Sequence, residues 1–219
     1  GARFCSPRFY QESMRDNYRM ITGVDHAVGR IREALGEAGV AERTLIVVMG
    51  DNGVFYGERG LADKWYAYEE SIRVPLVLFD PTLSPARRGA RVEAMALNID
   101  MAPTLLDYAG LTAEAMDGKS LRPLIEGTMN PCEWRDNWYF EHLFQHPLIP
   151  RSEGVREESW SYIRWIDTDP LQEELYDLRR DPHEKENLAA VAEYDRDLQR
   201  LRARYAKYQC RVPVGNTTP

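Results

Sequence analysis

The chain has 219 residues, a formal net charge of −7, 43% hydrophobic and 29% charged residues. That balance suits one ordinary globular domain or one and a half, large enough to bury a core, and it excludes wholesale disorder. The acidic excess excludes the basic footprint of a nucleic-acid binder, so an anionic ligand has to be met by a local cationic pocket.

No apolar run approaches the roughly 18 residues that cross a bilayer. The opening, Gly1-Ala2-Arg3-Phe4-Cys5, has neither a methionine nor an apolar h-region and reads as mid-protein sequence. Cys5, Cys132 and Cys210 are widely spaced and form neither a zinc pattern nor a disulfide framework. Cys5-Ser6-Pro7-Arg8 sets a cysteine among arginines, but no neighbouring base would activate it.

Residues 1–8 read as irregular. Tyr18, Ile21, Val24, Val28, Ile31 and Leu35 keep three- and four-residue spacing, which predicts a helix over 9–38 closed by Gly36 and Gly39. The apolar, β-branched run 44–49 predicts a buried strand covered on both faces. Helix, short loop and strand together predict half of a βαβ crossover and hence a parallel sheet. After Gly50-Asp51-Asn52-Gly53 comes a glycine-punctuated loop carrying Lys64, then a second apolar run at 74–79. A short strand is expected at 92–97. Asp100 is the expected N-cap of a helix with Pro103 in its first turn and Gly110 at its end. A short helix follows around 121–126.

From residue 134 aromatics accumulate, and alternation predicts antiparallel strands over 136–142, 153–157, 160–166 and 173–178. Asp181-Pro182-His183-Glu184 is read as the cap of a final helix running to about Tyr208, with a tail from 212. The fold class expected is α/β: part of a mostly parallel sheet flanked by helices, then a small antiparallel C-terminal subdomain with a terminal helix. The expected division is 1–130 for the α/β core portion and 131–219 for the subdomain.

The chemistry concentrates after the first strand, where open α/β sheets bind ligands. Asp51 offers a carboxylate and Asn52 a carbonyl oxygen, both hard donors of the kind Ca²⁺ or Mg²⁺ selects. Lys64 is a point cation suited to an anionic substrate. Taken alone, Asp-Asn-Gly is equally a turn signal.

The wider pattern resembles the sulfatase family of the alkaline-phosphatase-like superfamily. The matching residues are Gly50-Asp51-Asn52-Gly53, Gly57-Glu58-Arg59-Gly60-Leu61, Lys64 and the segment Tyr68-Glu69-Glu70-Ser71-Ile72-Arg73-Val74-Pro75-Leu76. Further on, Asp100-Met101-Ala102-Pro103-Thr104-Leu105-Leu106, Gly154-Val155-Arg156, Tyr162-Ile163-Arg164, Glu174-Leu175-Tyr176-Asp177-Leu178, Asp181-Pro182 and Glu186-Asn187-Leu188 are similar to family elements in the family's order. Gly50 departs from the usual serine or threonine, and Arg59 from a frequent histidine.

The resemblance implies sulfate-ester hydrolysis with a Ca²⁺ ion held partly by Asp51 and Asn52. It implies that Lys64 grips the sulfate and that a formylglycine acts as nucleophile. It also implies that His142 and His146 approach the leaving group of a sulfated small molecule or carbohydrate. Cys5-Ser6-Pro7-Arg8-Phe9 cannot be the formylglycine segment, because Phe9 stands where the family has arginine. The chain is therefore expected to be the C-terminal portion of a sulfatase, inactive without its N-terminal formylglycine segment. A phosphodiester or phosphonate hydrolase of the same superfamily, and a non-catalytic relative, are the alternatives. A periplasmic, secreted or lysosomal-type compartment follows from the resemblance only, and an unpaired sheet edge would allow a homo-oligomer.

Overall fold

A computed structural model describes residues 4–112 and 114–210, so the expected tail from 212 lies outside the described residues. Two compact units divide the chain. One comprises Gly1–Lys64 and Arg73–Ala90, the other Trp65–Ile72 and Arg91–Pro219.

The first unit opens on helix α1, Pro7–Glu37. Ser6 caps it by accepting from the backbone N–H of Phe9 at 3.4 Å, and Pro7 supplies a first-turn residue with no N–H to satisfy. This resolves the Cys5-Ser6-Pro7-Arg8 segment as a helix start, with Arg8 paired to Glu12 at 2.9 Å. Gly39, at φ +67°, takes the left-handed turn that ends the helix.

Strand β1, Ile46–Met49, then pairs with β4, Leu76–Phe79, in the register Ile46↔Phe79 to Met49↔Leu76. The pairing is antiparallel, which corrects the parallel sheet expected from the sequence. A parallel pair needs a long crossover, usually helical. The connection 50–75 holds two-residue strands, a 3-10 turn at Glu58–Gly60 and the four-residue helix α2, Glu69–Ile72, but no crossover helix. Neither is the pair covered on both faces: Val77 and Phe79 of β4 are exposed. Within the connection, β2 (Phe55–Tyr56) and β3 (Ala62–Asp63) form a small antiparallel hairpin anchored by the fully buried Phe55.

The second unit is built on a four-stranded antiparallel meander: β5 (Asn137–His142), β6 (Ser152–Glu157), β7 (Trp160–Trp165) and β8 (Gln172–Asp177), in that spatial order. Each strand lies within a residue of its expected bounds, because alternation marks extended chain; both faces of β7 are nevertheless covered, since Tyr162 and its neighbour Ile163 are both fully buried. The terminal helix α5, Asp195–Gln209, lays Leu198 and Leu201 against Val155, Tyr162 and Leu175. Gly154 sits where a side chain has no room: a Cβ there would lie 2.1 Å from the Tyr162 carbonyl oxygen. Tyr205 donates to Glu153, and its phenol is pushed up to about 12, first by burial and then by that carboxylate.

The final helix starts later than the sequence suggests. Residues 181–191 are spent on the outer edge of β8 instead. Leu188 N–H donates to the Leu175 carbonyl at 2.8 Å, and Leu175 N–H donates to the Asn187 side-chain oxygen at 3.0 Å. Covering an edge strand this way satisfies its backbone groups without another strand. Asp181 acts as a turn residue, accepting from the N–H groups of Lys185 and Glu186.

The short strand expected at 92–97 is absent; its polar groups go to side chains. The Met95 carbonyl accepts from Trp134 Nε1 at 2.6 Å, and Leu97 N–H donates to Asp100 at 2.8 Å. Asp100, at the start of α3 (Met101–Tyr108), does not cap that helix with its side chain. Its fully buried carboxylate takes Leu97 N–H, Lys119 N–H and a two-pronged grip from the Arg135 guanidinium, one prong at 2.6 Å. Thr104 links α3 to α4 (Arg122–Glu126) by accepting from Leu121 N–H at 2.9 Å.

A buried carboxylate stripped of its charged partner is costly, commonly ~3–5 kcal/mol. Arg135→Ala should therefore lower the unfolding free energy by about 3 kcal/mol in urea melts followed by circular dichroism; a loss under about 1 kcal/mol would show that the backbone N–H groups suffice for Asp100.

Candidate active site

The site starts where β1 ends. Gly50 lets the chain pass close to the second apolar run, since a Cβ there would stand 3.3 Å from both Val74 Cβ and Pro75 Cδ. The departure from serine or threonine thus has a packing reason. Asp51 is exposed, and its Oδ1 accepts from the N–H of Asn52 at 2.9 Å. Asn52 is half-buried and its amide is fixed at both ends. Nδ2 donates to the Gly53 carbonyl at 2.8 Å, and Oδ1 accepts from Lys64 Nζ at 2.8 Å.

Lys64 reaches Asn52 because the β2–β3 hairpin folds the chain back on itself. That return is tight. Gly57 and Gly60 take positive φ, and so do Arg59 (56°), Asp63 (72°) and Trp65 (97°), which have side chains to strain. Each such residue costs of order 1–3 kcal/mol and persists only where the surroundings impose it.

The structure therefore brings Asp51, Asn52 and Lys64 together within one unit. The sequence placed Asn52 and Lys64 in separate roles and missed the bond joining them. His142 and His146 belong to the other unit. His142 ends β5, opposite Ser152, and both its ring nitrogens are buried with no hydrogen bond among the described residues. His146 is exposed, and its Nδ1 accepts from the Leu148 N–H at 3.2 Å. Phe144 stands between them, 6.4 Å from one ring and 6.3 Å from the other. Trp65 joins this group, 5.6 Å from Phe144 and 5.5 Å from His142. Trp65 and Phe144 could not be paired from the sequence, since they lie far apart along the chain and only the fold brings their rings within 5.6 Å.

The donors at the end of β1 fit a hard cation in kind but not in number. Ca²⁺ takes about 6–8 oxygens, and no group of three His, Cys, Asp or Glu among the described residues could hold a metal. One lone pair of the Asn52 oxygen is also committed to Lys64. These residues offer hard oxygen atoms but cannot complete a cation shell.

The fold, with Asp51, Asn52 and Lys64 near the end of β1, points to the C-terminal portion of a sulfatase of the alkaline-phosphatase-like superfamily. The comparisons agree. A family model described as N-sulphoglucosamine sulphohydrolase, C-terminal, matches residues 57–211, and the chain belongs to that family. It is 34% identical over 197 residues to an N-acetylglucosamine-6-O-sulfatase of Bacteroides thetaiotaomicron, covering 88% of this chain and 35% of the relative. Among solved structures it is similar to one described as in complex with its substrate D-glucosamine-2-N,6-O-disulfate. That match has TM-score 0.83 and 33% identity and covers 92% of this chain and 41% of that one. A phosphonate monoester hydrolase of Agrobacterium radiobacter matches with TM-score 0.78 and 30% identity over 94% of this chain and 44% of its own. The chain thus spans less than half the length of these relatives. Among the described residues, no helix is long and apolar enough to cross a membrane.

The incomplete donor set has a direct consequence for calcium. Isothermal titration of the chain should give a Kd no tighter than about 1 mM, the weak end of protein Ca²⁺ sites; stoichiometric binding in the micromolar range would mean that further ligands are already present.

Proposed function

We propose that the protein containing this chain hydrolyses sulfate esters, and that Asp51, Asn52 and Lys64 are this chain's contribution to the catalytic centre. The observation that carries the reading is the 2.8 Å bond from Lys64 Nζ to Asn52 Oδ1, which sets a cation beside the Asn52 oxygen near the end of a strand. In this reading residues 1–130 belong to the α/β core and 131–219 form the smaller subdomain.

Cleaving a sulfate ester concentrates negative charge on the sulfuryl oxygens and on the departing alkoxide. Fixed donors aimed at those oxygens are the strongest means of stabilising it. Lys64 binds a sulfuryl oxygen and stands ready to protonate the leaving oxygen, while Asn52 fixes the direction of its ammonium. Asp51 and Asn52 would supply two oxygens to a Ca²⁺ ion, which when bound would act as a Lewis acid toward the sulfate. Asparagine at position 52 suits that hard ion better than the softer transition metals a histidine would favour. The formylglycine nucleophile of the family has no counterpart in this sequence, which contains no Cys- or Ser-x-Pro-x-Arg segment. In this reading a separate segment of the complete protein supplies it.

His142 and His146 lie on the subdomain, where they would meet the leaving group of a sulfated small molecule or carbohydrate. A periplasmic, secreted or lysosomal-type location accompanies this reading through the family alone. The second reading, phosphonate or phosphodiester hydrolysis, is favoured by the similarity to the phosphonate monoester hydrolase.

Both readings meet one experiment on the complete gene product. Turnover of aryl and carbohydrate sulfates should exceed that of the matching phosphonate and phosphate esters, and Lys64→Ala should lower kcat on the sulfates by about 10²–10³, the usual loss for one charge-stabilising donor. Unchanged turnover in the variant removes Lys64 from the mechanism. Faster phosphonate cleavage reverses the choice of substrate.

A further inference from the structure

We propose that Trp65 and Phe144 form an aromatic platform that receives the pyranose ring of a sulfated sugar, making them specificity-determining residues. The inference rests on the sulfatase reading and names the substrate class that this reading leaves open.

The two rings are near parallel, 27° apart in plane, with centroids separated by 5.6 Å. Near-parallel rings at that separation are displaced sideways rather than stacked face on face, so part of each face stays open. Within this chain both keep accessible surface: Trp65 is 37% and Phe144 is 56% exposed. Large aromatics left at the surface in a contiguous group mark binding sites more often than incidental exposure. The group continues into His146, whose ring lies 23° from that of Phe144.

His142 braces this surface. It meets Trp65 edge-on at 69° and Phe144 at the same angle, with its nitrogens buried. Trp65 itself is held at φ +97°, a conformation that a bulky side chain adopts only when its surroundings impose it. A braced ring in a forced conformation presents a fixed face. The residue before it in the chain is Lys64, the proposed sulfate ligand.

The chemistry of the platform selects a sugar. One face of a pyranose presents C–H groups, which pack on the electron-rich face of an aromatic ring. Its rim presents hydroxyls and, here, sulfate oxygens, which need donors. His146 accepts at Nδ1 from Leu148 N–H, so the neutral ring carries its proton on the exposed Nε2 and offers it outward. A planar aryl group would use the faces but not the donor, and a small acyclic alcohol would use neither. The similar structure whose description names a disulfated glucosamine as substrate belongs to the favoured class.

The test uses the complete gene product with glucosamine 6-sulfate, an aryl sulfate and an acyclic alkyl sulfate. Phe144→Ala, and Trp65→Gly, which accepts the positive φ without strain, should each lower the ratio of kcat/KM for the sugar to that for the acyclic ester about tenfold. The loss should sit in KM, and Phe144→Tyr should restore it. Equal losses on all three esters, or a loss confined to the aryl sulfate, would overturn the proposal. A tryptophan-fluorescence titration with glucosamine 6-sulfate separates the two layers. A saturable change that weakens about tenfold in Phe144→Ala supports the platform even in a protein that cleaves no sulfate ester, a result that sinks the sulfatase reading alone. No saturable change, in a protein that cleaves the other sulfates, removes the platform and keeps the enzyme.

Discussion

The hydrogen bond from Lys64 Nζ to Asn52 Oδ1 decides what the end of β1 can do. An amide has one acceptor end and one donor end, and the two must face opposite partners. Here the donor end is taken by the Gly53 carbonyl, so the oxygen can only turn toward the lysine. Reversing the amide would set its NH₂ against an ammonium and its oxygen against a carbonyl, losing both bonds. The lysine is thereby aimed by a short side chain that is itself locked to the backbone. A long, mobile point charge becomes a directed one, which transition-state stabilisation requires.

The second unit shows the opposite use of charge. Asp100 and Glu184 are fully buried, yet each works as an anchor for backbone N–H groups rather than as a reactive group. Asp100 ties the 97–100 turn and the backbone at Lys119 to Arg135. Glu184, at φ +51°, accepts from the N–H of Glu69 at 2.8 Å, where α2 begins, and Glu69 in turn is paired with Arg156 at 2.8 Å. These carboxylates fix irregular chain where neither helix nor sheet satisfies the peptide groups. Both carboxylates are therefore structural, in contrast to the exposed Asp51 beside Asn52.

Legibility in the sequence follows from whether a feature is local. The four strands of the meander could be read because alternation is written into each strand separately. The helix over Pro7–Glu37 was equally legible from its spacing. The orientation of β1 was not: an apolar run states that a strand exists, while its neighbour is decided by how the intervening chain closes. Residues 181–191 carry helix-start residues, yet the unsatisfied edge of β8 claims their backbone groups first. At the site, Asp51, Asn52 and Lys64 could be singled out by type and spacing. Their mutual bond could not, because it depends on a hairpin of two-residue strands with almost no sequence signature. Trp65 was overlooked for the same reason, its contacts with Phe144 and His142 existing only in the folded chain.

The strained residues around Lys64 complete the argument. Arg59, Asp63 and Trp65 all hold positive φ with full side chains, and glycine at any of them would relieve the strain. A relaxed, glycine-rich loop would also leave the lysine free to sample many directions, and a lysine side chain carries ~2 kcal/mol of rotamer entropy to be lost whenever it is fixed in one. A loop that is strained but determined loses that freedom once, during folding. The buried Phe55 and the short β2–β3 ladder hold one side of the loop, and the Asn52 bond holds its lysine. Strain and direction thus belong together: the backbone is forced so that the charge need not search.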